Sequence, residues 1–234
     1  KLAVLGQMSA SISHELNNPL AAIRSFAENG KLFLQKENFE RVEDNLSRIS
    51  ALADRMANIS QQLRSFAKKT SGTELTKTRL LPVVASAKEL MKPAFKSARV
   101  NLSTDLMAQD AEVFINTIQL EQVLVNLLSN AIEAVKDQEN RQVWLSIEHD
   151  QNRNQIMVHI DDNGPGIGQR SLTELCEPFL TTKKNGLGLG LSISQQILSG
   201  MNGQLSAYNQ AQGGARFSVY LPVVAIHAEK GSEE

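Results

Sequence analysis

Cysteine is nearly absent: Cys176 is the single one in 234 residues. No internal disulfide framework can form, and no zinc site built on several thiolates. Both absences fit a reducing cytoplasm. No stretch approaches the roughly 20 apolar residues that span a bilayer. No signal peptide is visible either. Excess charge is missing too, with 24 Lys+Arg against 25 Asp+Glu and a net charge of -1. That balance, with no long basic run, argues against nucleic acid as a partner. Internal repeats are absent. The helical pattern is already under way at Lys1, without an initiator methionine or a cap. The chain therefore reads as a fragment cut from a longer protein on its N-terminal side, and the missing membrane segment says little about the parent.

What is present is ordinary globular composition, 41% hydrophobic and 21% charged, enough for one or two domains. Residues 1 to about 35 carry Leu2, Leu5, Ile12, Leu16, Ile23, Phe26 and Leu34 at gaps of mostly three, four or seven. That spacing predicts a long amphipathic helix. Val42, Leu46, Ile49, Ala53, Met56, Leu63 and Phe66 predict a second, and the polar run 35–38 predicts the turn of an antiparallel hairpin. One hairpin of this length lacks neighbours for both stripes. Two would bury them as a four-helix bundle, so a homodimer through residues 1–70 is expected. Packing of the hairpin on the rest of the chain is the alternative.

Thr70-Ser71-Gly72-Thr73 reads as a linker, after which helical and strand patterns alternate. Helices are predicted over 81–94, 117–136 and 189–200. Strands are predicted over 99–104, 112–115, 143–149, 155–161, 204–209 and 215–221. The mixture implies an α+β sandwich with helices on one face of a sheet. The charged tail after Ile226 carries no pattern.

Glycines cluster in three places: Gly164, Gly166 and Gly168 after a strand; Gly186, Gly188 and Gly190 at the start of a helix; and Gly213-Gly214 before the last strand. The second cluster would aim backbone N–H groups at an anion. It is not a P-loop, since no G-x-x-x-x-G-K-[ST] occurs, and it does not join two strands of a βαβ unit as a dinucleotide fingerprint does. Asn126 and Asn130, four apart, share one face of an otherwise apolar helix. Buried amides need partners: a hydrated Mg²⁺ carrying nucleotide phosphates would supply them, and so would neighbouring backbone.

Five segments, taken in order, resemble the sensor histidine kinases of two-component signalling. His14-Glu15-Leu16-Asn17-Asn18-Pro19-Leu20 is similar to the H box, and Asn126 to Ala131 to the N box. Asp162 to Ile167 resembles the first G box. Glu177-Pro178-Phe179 with Thr181-Thr182-Lys183 resembles the F box, and Gly186 to Leu191 the second G box. The resemblance covers about residues 1–222. It implies a dimerisation and histidine-phosphotransfer domain over 1–70 and a linker over 71–76. It then implies an ATP-binding domain over 77–226, of the α+β sandwich fold shared with DNA gyrase, the Hsp90 chaperone and MutL, and a disordered tail over 227–234. H-E-L-N-N-P-L and the run from Thr181 to Ser194 look most like the C4-dicarboxylate sensor kinases, which work with regulators that activate sigma-54 promoters. Such a chain would be the cytoplasmic region of a bacterial inner-membrane sensor, without nucleic acid as partner and without direct membrane contact of its own.

The resemblance also implies roles. His14 would be the phosphoryl acceptor; it falls two residues from Ile12 and from Leu16, so it should point off the apolar stripe. Glu15 would hold or accept the ring proton. Asn18, one turn on, would orient a water that dephosphorylates a response regulator. Pro19 should kink the helix near the histidine. Asp162 would accept a hydrogen bond from the adenine amino group, with Gly164 and Gly166 letting the base approach. Asn126 and Asn130 would hold Mg²⁺ against the phosphates. Gly186, Gly188, Gly190 and Leu191 would bring backbone N–H groups to phosphate oxygens. Phe179, Thr182 and Lys183 belong to a mobile lid over 168–185, with Phe179 as its anchor. Two positions depart from the family pattern: Glu133 stands where a basic residue is common, and Leu180 where a second phenylalanine is.

Overall fold

In the computed structural model the described residues are 9–67, 74–106, 111–178, 180 and 188–224; at 9–12, 14, 15, 55, 58 and 61–67 only the backbone is described. The chain divides into two compact units, with the helical hairpin in one and the α/β elements in the other.

The hairpin consists of α1 (Ser9–Gln35) and α2 (Phe39–Ala67). Asn38 caps the second helix, its Oδ1 accepting from Arg41 N at 3.2 Å, and Glu37 takes φ 56 in the turn. Both are polar residues suited to a chain reversal. Across the two helices Arg41 lies 5.1 Å over the Phe33 ring and Arg48 5.5 Å over Phe26. Pro19 lies inside α1. It has no N–H, so the Glu15 carbonyl loses its helical donor. Among the described residues of the two stripes, Leu16, Ile23, Phe26, Val42, Ile49 and Met56 are half-buried. Leu34 and Leu46, both on the predicted stripes, are exposed, as are Leu20, Leu32 and Phe39.

The second unit begins with β1 (Thr76–Arg79), which sequence patterning did not reveal. Its Thr-Lys-Thr-Arg is polar throughout, and it is a strand because it pairs antiparallel with β3 (Glu112–Ile115). The main sheet has five strands in the order β2-β4-β5-β7-β6. These are β2 (Asn101–Asp105), β4 (Gln142–Asp150), β5 (Gln155–Asp162), β6 (Gln204–Asn209) and β7 (Ala215–Pro222). β2 runs parallel to β4, and the other pairs are antiparallel. Period-two burial places Val143, Leu145 and Ile147 beside Ile160 and Val158, and Val158 beside Val219, on one face.

That face is covered by helices. α3 (Leu80–Ala98) packs on α4 (Thr117–Ala134), and α4 packs on α6 (Gly190–Ser199) and on β5. α3 extends through Pro93 and stops at Arg99, which turns left-handed at φ 54. α4 starts at Asn116, whose side chain accepts from Gln119 N at 3.0 Å. It buries Leu120, Val123, Leu124, Leu127, Leu128 and Ala131, one apolar stripe at helical spacing. A one-turn helix, α5 (Leu172–Leu175), is fixed by a Ser171–Glu174 capping box. Among the described residues no helix is long and apolar enough to cross a membrane.

Candidate functional site

Asp162 ends β5 on the helix-covered face, in register with Val143. It is 3% exposed. Its Oδ1 accepts from Gly164 N at 2.9 Å and from Ala215 N at 3.3 Å. Burial pushes this carboxyl above the ordinary carboxylate value and the neighbouring Asp161 adds to the rise, while the two backbone donors pull the other way. Among the described residues both donors reach Oδ1, so Oδ2 remains to accept from a ligand.

The backbone around Asp162 is too close for side chains. A Cβ on Gly164 would sit 2.7 Å from the Ala134 carbonyl oxygen, at the end of α4, and 2.9 Å from Asp162 Oδ1. Gly214, at φ +86, presses on the Asp162 main chain; a Cβ there would strike its carbonyl oxygen and lie 2.7 Å from its carbonyl carbon. The glycines on either side of Asp162 are thus required by the protein's own packing. That packing brings the β6–β7 hairpin against the end of β5 and delivers Ala215 N–H to the carboxylate.

Two asparagines brace the loop that follows. Asn163 Oδ1 accepts from Gln142 N at 2.9 Å, and its Nδ2 donates to Asn140 O at 2.6 Å. Asn209 reaches across from the end of β6: its Oδ1 accepts from Ile167 N at 2.8 Å and its Nδ2 donates to Gly168 O at 2.6 Å. Gly166, at φ +79, has no room for a Cβ because Asn209 Oδ1 occupies that space. Neither Asn209, Gly214 nor Ala215 was assigned a role from the sequence. The Gly213-Gly214 pair marked the turn but not which strand end it would touch.

Asn126 and Asn130 lie half-buried on α4, beside its apolar stripe. Asn126 Nδ2 donates to Ser194 Oγ on α6 at 3.0 Å. Its Oδ1 abuts Gly190, the first residue of α6, where a Cβ would collide with it. The structure therefore brings Asn126 to the side of α4 that meets α6, and Asn130 follows one turn on along α4. Gly188 takes φ 66 just before that helix, and Leu191 is half-buried in its first turn. Glu133, in place of a basic residue, pairs with Lys136 one turn on.

Asn18 is exposed on α1. The side chains of His14 and Glu15, and all of Phe179, Thr182, Lys183 and Gly186, lie outside the described residues. On the opposite sheet face, a cavity of about 270 Å³ is lined by Asp105, Trp144 and Asp161 among others. Arg216 closes on Asp161 there, with Nη2 2.7 Å from Oδ2. This cavity does not include Asp162. Among the described residues no group of three or more His, Cys, Asp or Glu is placed to hold a metal. Any cation at this site would have to rely on amide oxygens and a ligand's own phosphates, and Asn126 Oδ1 fits that requirement.

Two family profiles match the chain. The one described as His Kinase A (phospho-acceptor) domain matches residues 4–72. The one described as Histidine kinase-, DNA gyrase B-, and HSP90-like ATPase matches residues 115–225. The chain is 37% identical over 224 residues to the C4-dicarboxylate transport sensor protein DctB of Pseudomonas aeruginosa, covering 94% of this chain and 36% of that protein. It is 36% identical over 221 residues to the protein of the same name from Rhizobium meliloti, covering 94% and 35%. It thus spans about a third of the length of these curated relatives. A solved complex of histidine kinase ThkA with response regulator protein TrrA has the same fold, with a TM-score of 0.73 at 23% identity over 95% of this chain and 63% of that one. The nucleotide-free catalytic domain of ThkA matches with a TM-score of 0.57 at 27% identity, over 64% of this chain and 96% of that one.

Proposed function

The chain belongs to the sensor histidine kinases of two-component signalling, and from that premise we propose that it takes the γ-phosphoryl group of ATP onto His14 and passes it to an aspartate of a response regulator. The observation that carries this reading is Asp162: a buried carboxylate, held on one oxygen by two backbone donors and open on the other. Such a group suits a single exocyclic amine, and the adenine amino group is one.

In this reading residues 1–70 form the phospho-acceptor and dimerisation domain, 71–76 the linker, 77–226 the ATP-binding domain and 227–234 a tail. The start of β1 at Thr76 supports placing the beginning of the second domain near there. The exposed Leu20, Leu32, Leu34, Phe39 and Leu46 of the hairpin support a homodimer in which a second hairpin completes a four-helix bundle.

Asp162 orients the base. Asn126 and Asn130 would hold Mg²⁺, which supplies charge neutralisation at the phosphates when bound. Gly188, Gly190 and Leu191, with Gly186 before them in the sequence, would offer backbone N–H groups to the phosphates. Phe179, Thr182 and Lys183 would belong to a lid over the nucleotide. A neutral imidazole nitrogen of His14 attacks the γ-phosphorus, the bond to the bridging oxygen breaks, and ADP leaves. The other ring N–H is held by Glu15, which takes its proton as charge develops. Asn18, one helical turn from His14, orients the water that removes a phosphoryl group from the regulator. The full-length protein is a membrane-anchored sensor of which this is the cytoplasmic part, and the regulator it serves is an activator of sigma-54 promoters. The likeness to proteins named as C4-dicarboxylate transport sensors supports a dicarboxylate as the stimulus.

The test is incubation of the chain with γ-labelled ATP and Mg²⁺, alongside His14→Gln and Asp162→Asn. The expected result is a label that survives base but not acid and is lost in both variants. ATP hydrolysis with no protein-bound label would show an ATPase on the same fold instead.

A further inference from the structure

Ser194 is 1% exposed and sits between Ile193 and Ile197 on the buried side of α6. A hydroxyl in such a place needs a partner, and here the partner is the Nδ2 of Asn126, 3.0 Å away on the neighbouring helix. The other end of the same amide, Oδ1, rests against Gly190, the first residue of α6. The carboxamide is clamped between two points of one helix, a hydroxyl behind it and a bare Cα in front.

The two ends of an amide are not equivalent. Oδ1 is an acceptor and a ligand for hard cations; Nδ2 is a donor only and repels them. The first turn of a helix leaves its N–H groups unpaired. An amide reversed at this position would turn its own donors toward those N–H groups. With Ser194 engaging Nδ2, the oxygen is the end offered at the start of α6, and among the described residues it accepts no hydrogen bond.

We propose that Ser194 is a positioning residue: through Asn126 it sets which end of that amide faces the ligand, and so tunes the metal dependence of nucleotide binding. The proposal rests on the Mg²⁺–ATP reading of the site given above. Gly190 belongs to the same device, because any side chain there would displace the Asn126 oxygen.

The test is ATP binding to the whole chain, measured by displacement of a fluorescent ATP analogue once with Mg²⁺ and once with EDTA. The quantity read is the ratio of the two Kd values. Ser194→Ala is expected to lower the gain from Mg²⁺ about 5-fold, the equivalent of one net hydrogen bond. Ser194→Thr, which keeps the hydroxyl, is expected to restore it. In an Asn126→Ala background Ser194→Ala is expected to change the ratio no further. Equal weakening with and without Mg²⁺, or a Ser194→Ala effect that persists without the Asn126 amide, would overturn the proposal and leave Ser194 as packing alone. ATP binding with an unchanged ratio would overturn it too, while leaving the nucleotide reading intact. Absence of ATP binding by the unmutated chain would overturn that reading and this proposal with it.

Discussion

Gly213 and Gly214 are neighbours with the same kind of backbone, φ +95 and φ +86, yet they should respond very differently to alanine. An alanine at either position pays for a left-handed conformation, about 1–2 kcal/mol. At Gly213 nothing lies within 4 Å of the new methyl group, so the cost ends there. At Gly214 the methyl meets the Asp162 carbonyl, with the carbonyl carbon at 2.7 Å and Asn163 Cα at 3.0 Å. These are main-chain atoms of a strand end and cannot rotate away. Forcing them apart costs about 1–3 kcal/mol more, and the Ala215 N–H to Asp162 bond adds about 1 kcal/mol when it stretches. The totals are roughly 3–6 kcal/mol for Gly214→Ala against roughly 1–2 kcal/mol for Gly213→Ala. Trp144 is the chain's only tryptophan and sits in β4, so its fluorescence follows unfolding of this unit in urea. At a slope of about 2 kcal/mol per molar, the midpoint should fall by about 1.5–3 M for Gly214→Ala and by about 0.5–1 M for Gly213→Ala. Equal midpoints, or a larger fall at Gly213, would refute the claim that the hairpin is pressed on the end of β5.

Asp162 makes binding and stability respond oppositely to acid. Its carboxyl is held above the ordinary 3.8 by burial, so the folded state binds that proton more tightly than the unfolded one. As pH falls through the interval between the raised value and 3.8, stability should rise while ATP affinity falls with loss of the carboxylate; calorimetric titrations across that interval check both, and Asp162→Asn should flatten them. Asn209→Ala removes two hydrogen bonds from an exposed loop, so the Ile167 amide should exchange with solvent about 10-fold faster while the global midpoint moves little. Arg216→Met leaves the buried Asp161 without its partner and should cost about 2–4 kcal/mol, less than a fully enclosed pair because Arg216 is 29% exposed. Adding Asp161→Leu to that variant should recover much of the loss in the same Trp144 assay.

The elements with strong periodicity were legible to within a few residues. β3 and β6 begin and end where alternation predicts, and α4 differs only at its C-terminal end, stopping at Ala134. The polar strand β1 was not legible, since it owes its form to pairing with β3 rather than to any pattern of its own. α3 runs longer than predicted because Pro93 is accommodated inside it and the stop comes from Arg99. At the site, the sequence marked Asp162, Asn126 and the glycines, but not the distant groups that hold them. Asn209 and Ser194 look unremarkable in their own segments. They matter because the hairpin and α6 bring them to Ile167 and Asn126, and contacts 42 and 68 positions apart leave no local signal.

The most direct measurement is to locate the phosphoryl group itself. The chain would be incubated with ATP and Mg²⁺, kept at alkaline pH, and mapped by peptide mass spectrometry. The account predicts a single modified residue, His14, in the peptide ending at Arg24, with none in Asp162→Asn. A phosphoryl group on a serine, threonine or another histidine, or none in a chain that demonstrably binds ATP, would contradict it.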